Sequence, residues 1–142
     1  MVGVLMFNDT VTIYNHYYDK LTRLDKWNRK TLTGCMWRQE TTKTVSNGKL
    51  EVDDSISITI PYRNGYLPPK QYAKLPNDQM PKYWTLDSND NLDVVVLGDI
   101  KVDLTDDYTL TDLRKDYDVY TVSAVSDNTL VDYLKHWKVT AK

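Results

Sequence analysis

Two histidines, one cysteine and several paired carboxylates are the side chains of this chain best equipped for chemistry. His16 lies in a charged stretch and His136 abuts Trp137. An imidazole works as a general base only beside a nucleophile and an orienting carboxylate, and neither histidine sits in a local motif that supplies them. Structural or surface roles are expected for both. Cys35 stands next to Met36 and Trp37 in a β-prone run and reads as a buried, inert thiol. A single cysteine also excludes an intramolecular disulfide and a cysteine-built zinc site. The carboxylates come as Asp53-Asp54, Asp106-Asp107 and Asp116 with Asp118. Glycosidase chemistry needs two carboxyl groups facing each other across a cleft, whereas neighbours on a strand point to opposite faces. Asp87, Asn89 and Asn91 in DSNDN alternate as oxygen donors, but the run lacks the glycine at the sixth position of a calcium loop and enters a strand. Turn chemistry explains it better. No phosphate-cradling or dinucleotide glycine pattern is present. The expectation is a protein with no catalytic residue, no metal site and no cofactor, and hence not an enzyme.

The aromatic side chains point elsewhere. Eleven Tyr and four Trp stand against one Phe. Tyr and Trp join a large contact area to a polar tip, which suits interfaces as well as half-wet sheet faces. Trp27, Trp37, Trp84 and Trp137 would serve a carbohydrate-binding β-sandwich if they formed an exposed platform; otherwise they fill a core and an interface. Residues 61–85 hold all five prolines and five aromatics. That is far beyond the ~4–6 residues of an ordinary connector. Disordered segments are poor in aromatics, so the stretch is expected to pack on this domain or on a partner. Tyr62, Tyr66, Pro68, Pro69, Tyr72, Pro76, Pro81, Tyr83 and Trp84 are its candidate interaction residues, carried on a long extended loop.

The elements that would position these residues are mostly strands. Leu92–Ile100, LDVVVLGDI, is the most apolar run and reads as a strand buried on both faces. Asp9–Tyr14 alternates Val11 and Ile13 against Thr10 and Thr12. Residues 15–30 are charged and without period, and read as a loop anchored by Trp27. Thr31–Gln39 reads as a strand in which Gly34 marks a bulge or the close approach of another backbone. Asn47-Gly48 between Thr41–Val45 and Lys49–Val52 is a hairpin signal. Ser55–Ile60 alternates cleanly, with Ile56, Ile58 and Ile60 on one face, until Pro61 ends it. Lys101–Leu104 is expected to continue the sheet. Thr109–Tyr117 reads as a short helix with Thr109 or Thr111 as N-cap and Asp112 in its first turn. Asp118–Val125 and His136–Thr140 read as strands, with one helical turn at Leu130–Leu134 between them. The sum is a mainly β fold, a small β-barrel or β-sandwich with one or two short helices and a long proline-rich loop.

With 142 residues and no internal repeat, a single domain is expected. Net charge is −2, so there is no basic excess to neutralise phosphates and nonspecific nucleic-acid binding is not expected. Met1–Phe7 is apolar without the charged and hydrophobic regions of a signal peptide, and no stretch approaches the ~20 apolar residues of a membrane span. Met6 offers an alternative start. The reading is a soluble protein without membrane contact.

Three blocks carry a resemblance. FNDTVTIYNHYYD at the start, SISITIPYR followed by LGDIKV in the middle, and YTVSAVSDNTLVDYLKHWKVTAK at the end resemble head–tail joining, head-completion and minor capsid-like proteins of tailed phages and prophages of Gram-positive hosts. The resemblance covers most of the chain. It implies a barrel or sandwich subunit that forms a homo-oligomeric ring between portal and tail tube, with portal or adaptor and tail proteins as partners. It also implies contact with DNA passing through the channel but no sequence-specific binding. The location would be the virion, and the host cytoplasm during assembly. On that reading residues 61–85 plug the channel or interlock neighbours, as the long loop of stopper-type proteins does. A tail-completion or tail-associated subunit is the alternative station, and a carbohydrate-binding module the alternative class.

Overall fold

The computed structural model describes residues 7–89 and 92–142. Among them are six strands: β1 (Asp9–Asp19), β2 (Leu24–Ser46), β3 (Lys49–Pro61), β4 (Val94–Leu97), β5 (Tyr120–Asn128) and β6 (His136–Ala141). Every pairing is antiparallel, and the order β1-β2-β3-β6-β5-β4 closes on itself because β4 returns to β1. The mainly β expectation holds, in its barrel form. Alternation of direction around the ring gathers the 20–23 turn, the 62–93 excursion and the 129–135 loop at one end. The other end receives the β2–β3 hairpin and residues 98–119.

Period two decides what fills the barrel. Val11 and Ile13 of β1, Ile56, Ile58 and Ile60 of β3, Val95 of β4, Val122 of β5 and Trp137 and Val139 of β6 form one buried cluster with Trp84. The alternate residues of β1 and β4 are buried too, because a second layer covers them outside. Tyr14, Val94 and Val96 pack with Ile100, Leu104 and Leu113. Leu113 belongs to α2 (Leu110–Asp116), where Thr109 and Asp112 form a reciprocal capping box. Thr12 ties the layers by donating to Gly98 O at 2.7 Å and accepting from Ile100 N at 2.9 Å. The expected strand Leu92–Ile100 is thus shorter, Val94–Leu97; Val94, Val95 and Val96 are covered on both faces, while Leu97 is exposed.

Several boundaries differ from the expectation. Residues 15–30 are not a loop: β1 runs on to Asp19 and β2 begins at Leu24. Some of their charges are bound to neighbours, Lys26 to Asp19 at 2.8 Å and Arg29 to Asp103 at 2.7 Å. That hides the period-two signal. Residues 101–104 do not extend the sheet; the chain turns outward after Gly98 and lays Ile100 and Leu104 on the second layer. Residues 130–134 form bends, not a helical turn. Gly34 has φ +69°, and a Cβ there would sit 3.7 Å from Phe7 O, while the β1–β2 register slips between Asp9 and Val11. Of the two sequence readings of that glycine the bulge is realised; the 3.7 Å distance is an ordinary contact, so it is the positive φ and not a close approach that favours glycine here.

Candidate functional site

The side chains suited to acid–base work are held in structural contacts. His16 Nε2 lies 2.8 Å from Asp25 Oδ1, and its ring meets Trp27 edge-on at 5.2 Å. His136 is fixed by Leu134 O at 2.7 Å and Asn128 at 3.3 Å. Cys35 is buried and burial pushes its thiol up to about 11, with Arg63 acting weakly the other way. Asp53 pairs with Lys142, Asp54 accepts from Thr41, and Asp116 accepts from the Tyr108 hydroxyl. At 87–89, Asn89 N donates to Asp87 Oδ1, an Asx turn. Asp90 and Asn91 of the DSNDN run lie outside the described residues, as does Met6. No cluster of three or more His, Cys, Asp or Glu that could hold a metal occurs among the described residues. No described helix is long and apolar enough to cross a membrane.

The 61–85 stretch is not an extended loop. It folds back as a cap on the barrel, with α1 (Pro69–Tyr72) and a 3-10 turn at Met80–Lys82. Its two ends are stapled: Leu67 N donates to Trp84 O and Trp84 N to Gly65 O, both at 2.9 Å. Trp84 closes the barrel end against Trp137 at 5.0 Å and Tyr66 at 5.1 Å. In the middle, the Asn28 amide of β2 donates to Tyr72 Oη, Met80 O and Tyr83 O at 2.9–3.2 Å. Asn77 donates to Asp19 at 2.8 Å. The physical reason is plain: Trp84, Tyr72 and Met80 bury more apolar surface on their own barrel than an extended loop would allow. Of the candidate interaction residues, Trp84 and Tyr72 are buried, while Tyr66, Pro69 and Tyr83 are half-buried. Pro68, Pro76 and Pro81 are exposed, and Tyr62 is 55% exposed while stacked on Trp137. Trp84 and Trp137 are buried, and Trp27 and Trp37 are half-buried.

A pinned carboxylate sits beneath the cap. Asp93 is buried and accepts from Asn15 Nδ2 at 2.9 Å, His16 N at 2.8 Å and Asp87 N at 3.1 Å. Asn15 also exchanges two hydrogen bonds with the Thr85 backbone. A buried polar network this well satisfied fixes the entry into β4.

What the fold leaves exposed lies at its two ends. Beside the cap, the 129–135 loop presents Leu130 (95% exposed), Val131, Tyr133 (80%) and Leu134 (69%), with Lys135 Nζ 6.0 Å above the Tyr62 ring. At the opposite end, β2 and β3 leave the barrel as a two-stranded arm, residues 40–55, paired from Glu40↔Ser55 to Ser46↔Lys49. Asn47 (φ +52°) and Gly48 (φ +76°) make its two-residue turn, both left-handed as a type I′ hairpin requires. Val45, Leu50 and Val52 are exposed on it. The Asn-Gly signal located this arm in the sequence. Its projection was not legible, because pairing to β6 stops at Ile56 and pairing to β1 stops at Cys35.

Residues 6–142 match a family of unknown function (DUF6751), and the chain belongs to that family. No curated protein and no solved structure matches the chain.

Proposed function

We propose that this member of the family is a structural subunit of a tailed-phage or prophage virion that assembles as a ring at the head–tail junction, and not an enzyme. The observation that carries the assembly reading is the apolar crown, Leu130, Val131, Tyr133 and Leu134, standing in water beside Tyr62 on a barrel whose interior is otherwise closed. A monomer working alone gains nothing from such exposure, whereas a ring subunit needs it for its neighbours along the axis. The station in the virion rests on the resemblance of the opening, middle and closing blocks to head–tail joining proteins. The net charge of −2 suits a channel wall that lets DNA slide without gripping it. Portal or adaptor and tail proteins are then the partners. The role assigned to residues 61–85 shifts, since a cap held by Trp84, Tyr72 and Asn28 cannot also plug a channel without unfolding.

Light scattering followed by negative-stain microscopy, with and without the portal protein of the same virion, tests this. Closed rings on the portal are expected, and Leu130→Ser with Tyr133→Ser should abolish them while the monomer stays folded. A ring seen only on tail tubes would move the subunit to the tail. A chain that stays monomeric on both would refute the proposal.

A further inference from the structure

The arm has two unlike faces. Residues alternate along each strand, and directly paired residues share a face. One face carries Thr42, Thr44 and Ser46 with Asp53, Glu51 and Lys49, all polar. The other carries Val45 with Leu50, Lys43 with Val52, and Thr41 with Asp54, which are hydrogen-bonded to each other at 2.8 Å. Beyond that polar pair the same face continues inward through Gln39↔Ile56 and Trp37↔Ile58, whose isoleucines belong to the barrel core. The arm thus carries a second, smaller apolar patch at its outer half, in register with the core face. Seven residue pairs at ~3.3 Å each give a reach of ~23 Å, beyond the ~14 Å radius of gyration expected for a domain this size. An isolated two-stranded ribbon is marginal in water, so this face calls for a cover.

A surface of matching character lies at the same end of the chain's own barrel. Trp37, Leu97, Tyr117 and Tyr120 line an open groove of about 510 Å³, with Arg114 and Asp118 among its charged residues. Leu97 and Tyr117 are exposed there. The charged lining of the groove is balanced, Arg114 and Lys115 against Asp116 and Asp118, and neither Asp118 nor Lys43 on the arm has an ion-pair partner among the described residues.

We propose that the arm of one copy lies with Val45, Leu50 and Val52 in the Trp37–Leu97–Tyr117–Tyr120 groove of a second copy, with Lys43 set against Asp118 of that copy. The arm tip and the groove are different surfaces, so each subunit gives one contact and receives another. Repeated from copy to copy in one direction, that contact is heterologous and closes into a ring when the rotation permits; two copies exchanging arms would instead close as a two-fold dimer, which the particle mass distinguishes. The inference rests on the assembly reading and names its lateral contact, leaving the crown for neighbours along the axis.

Cysteine pairing tests it, because buried Cys35 keeps the background silent. Full-length chain carrying Leu50→Cys is mixed with chain carrying Tyr117→Cys under mild oxidation. A disulfide-linked dimer is expected in the mixture, at least ~10-fold above either variant alone, since one favourable docking contact of ~1.4 kcal/mol already changes occupancy tenfold. Lys43→Glu should lower the crosslink, Asp118→Lys should restore it in the partner chain, and Thr44→Lys on the polar face should leave it unchanged. Leu50→Cys pairing with itself would mean that arms stack on arms about a two-fold axis, which overturns the inference. Rings seen by microscopy without the mixed crosslink overturn it while leaving the assembly reading intact. A chain that stays monomeric with the portal or tail tubes present and gives no crosslink overturns both.

Discussion

Replacing Trp84 with alanine is the perturbation that weighs most on the reading of residues 61–85. The indole is fully buried, touches Tyr66 and Trp137 at ring distances of 5.1 and 5.0 Å, and donates to Asn64 O at 3.3 Å. Burying an aromatic side chain removes ~150–250 Å² from water, or ~4–6 kcal/mol at ~25 cal/mol per Å². Part of that survives in the alanine and part is recovered by collapse, so Trp→Ala in a core costs ~3–5 kcal/mol. For a domain of this length the melting temperature should fall by ~10–15 °C. Urea unfolding followed by far-UV circular dichroism measures the free energy, and a thermal scan gives the second reading. Tyr62→Ala is the internal control: that ring is mostly exposed and stacks on Trp137 at 5.7 Å, so its loss should stay below ~1.5 kcal/mol. A Trp84→Ala protein within ~0.5 kcal/mol of the parent, as surface substitutions usually are, would refute the cap and return the stretch to a partner-binding loop.

Three further outcomes follow from the geometry. Asp93→Ala strands the donors of Asn15, His16 N and Asp87 N, and at ~1–3 kcal/mol for each buried donor left without an acceptor it should cost at least ~3 kcal/mol in urea; an undiminished midpoint would deny the network its role. The Lys26 ammonium beside Asp19, helped by Asn77 and Leu21 N, holds the Asp19 carboxyl far below the usual carboxylate range. A depressed folded pKa adds stability above the unfolded value and loses it as pH falls, so the gap between parent and Asp19→Asn should shrink steadily below about pH 4, and a gap independent of pH would contradict the pairing. Cys35, with its thiol raised to about 11 by burial, should resist Ellman's reagent in the native protein near pH 8 and react fully in denaturant; rapid native labelling would place it at the surface.

The elements most legible in the sequence were those whose signal is local. Thr109 and Asp112 announce α2, Asn47-Gly48 announces the hairpin, and the Ile56-Ile58-Ile60 alternation names an inner face. What escaped depends on partners far along the chain. Residues 15–30 look aperiodic because Asp19 and Arg29 are satisfied by Asn77 and Asp103, contacts that no window of sequence contains, and Lys26 pairs with Asp19 across the β1–β2 turn. Residues 130–134 read as a helical turn on spacing alone, yet with nothing packed over Leu130 or Tyr133 no buried face stabilises a helix. The candidate interaction residues were chosen for aromatic and proline content, and the same content is what seals Trp84 and Tyr72 under the cap. Tyr62, Pro68, Pro76 and Pro81 of that set remain exposed, and the exposed apolar residues Val45, Leu50 and Val52 escaped because they are scattered in a run of Thr, Ser and charge whose composition reads as an ordinary solvated strand.

Reach in this fold therefore comes from strand length rather than from loop length. A strand longer than its partner must bend with the barrel or leave it, and β2 does both in turn. At Gly34 it bends, passing from β1 to β3 as its neighbour, and beyond Gln39 it leaves with β3 beside it. A flexible loop of the same length would have to lose conformational entropy on docking, whereas a hydrogen-bonded ribbon closed by a type I′ turn has lost most of it already. Disturbing the turn should then weaken assembly without weakening the barrel. Gly48→Val forces a β-branched residue into φ +76°, far from the barrel core. The expected result is an unchanged melting temperature together with loss of rings and of the arm–groove crosslink. A melting temperature that falls with the rings would mean that the arm is part of the barrel's own cooperative unit, and that its apolar face is covered within the chain.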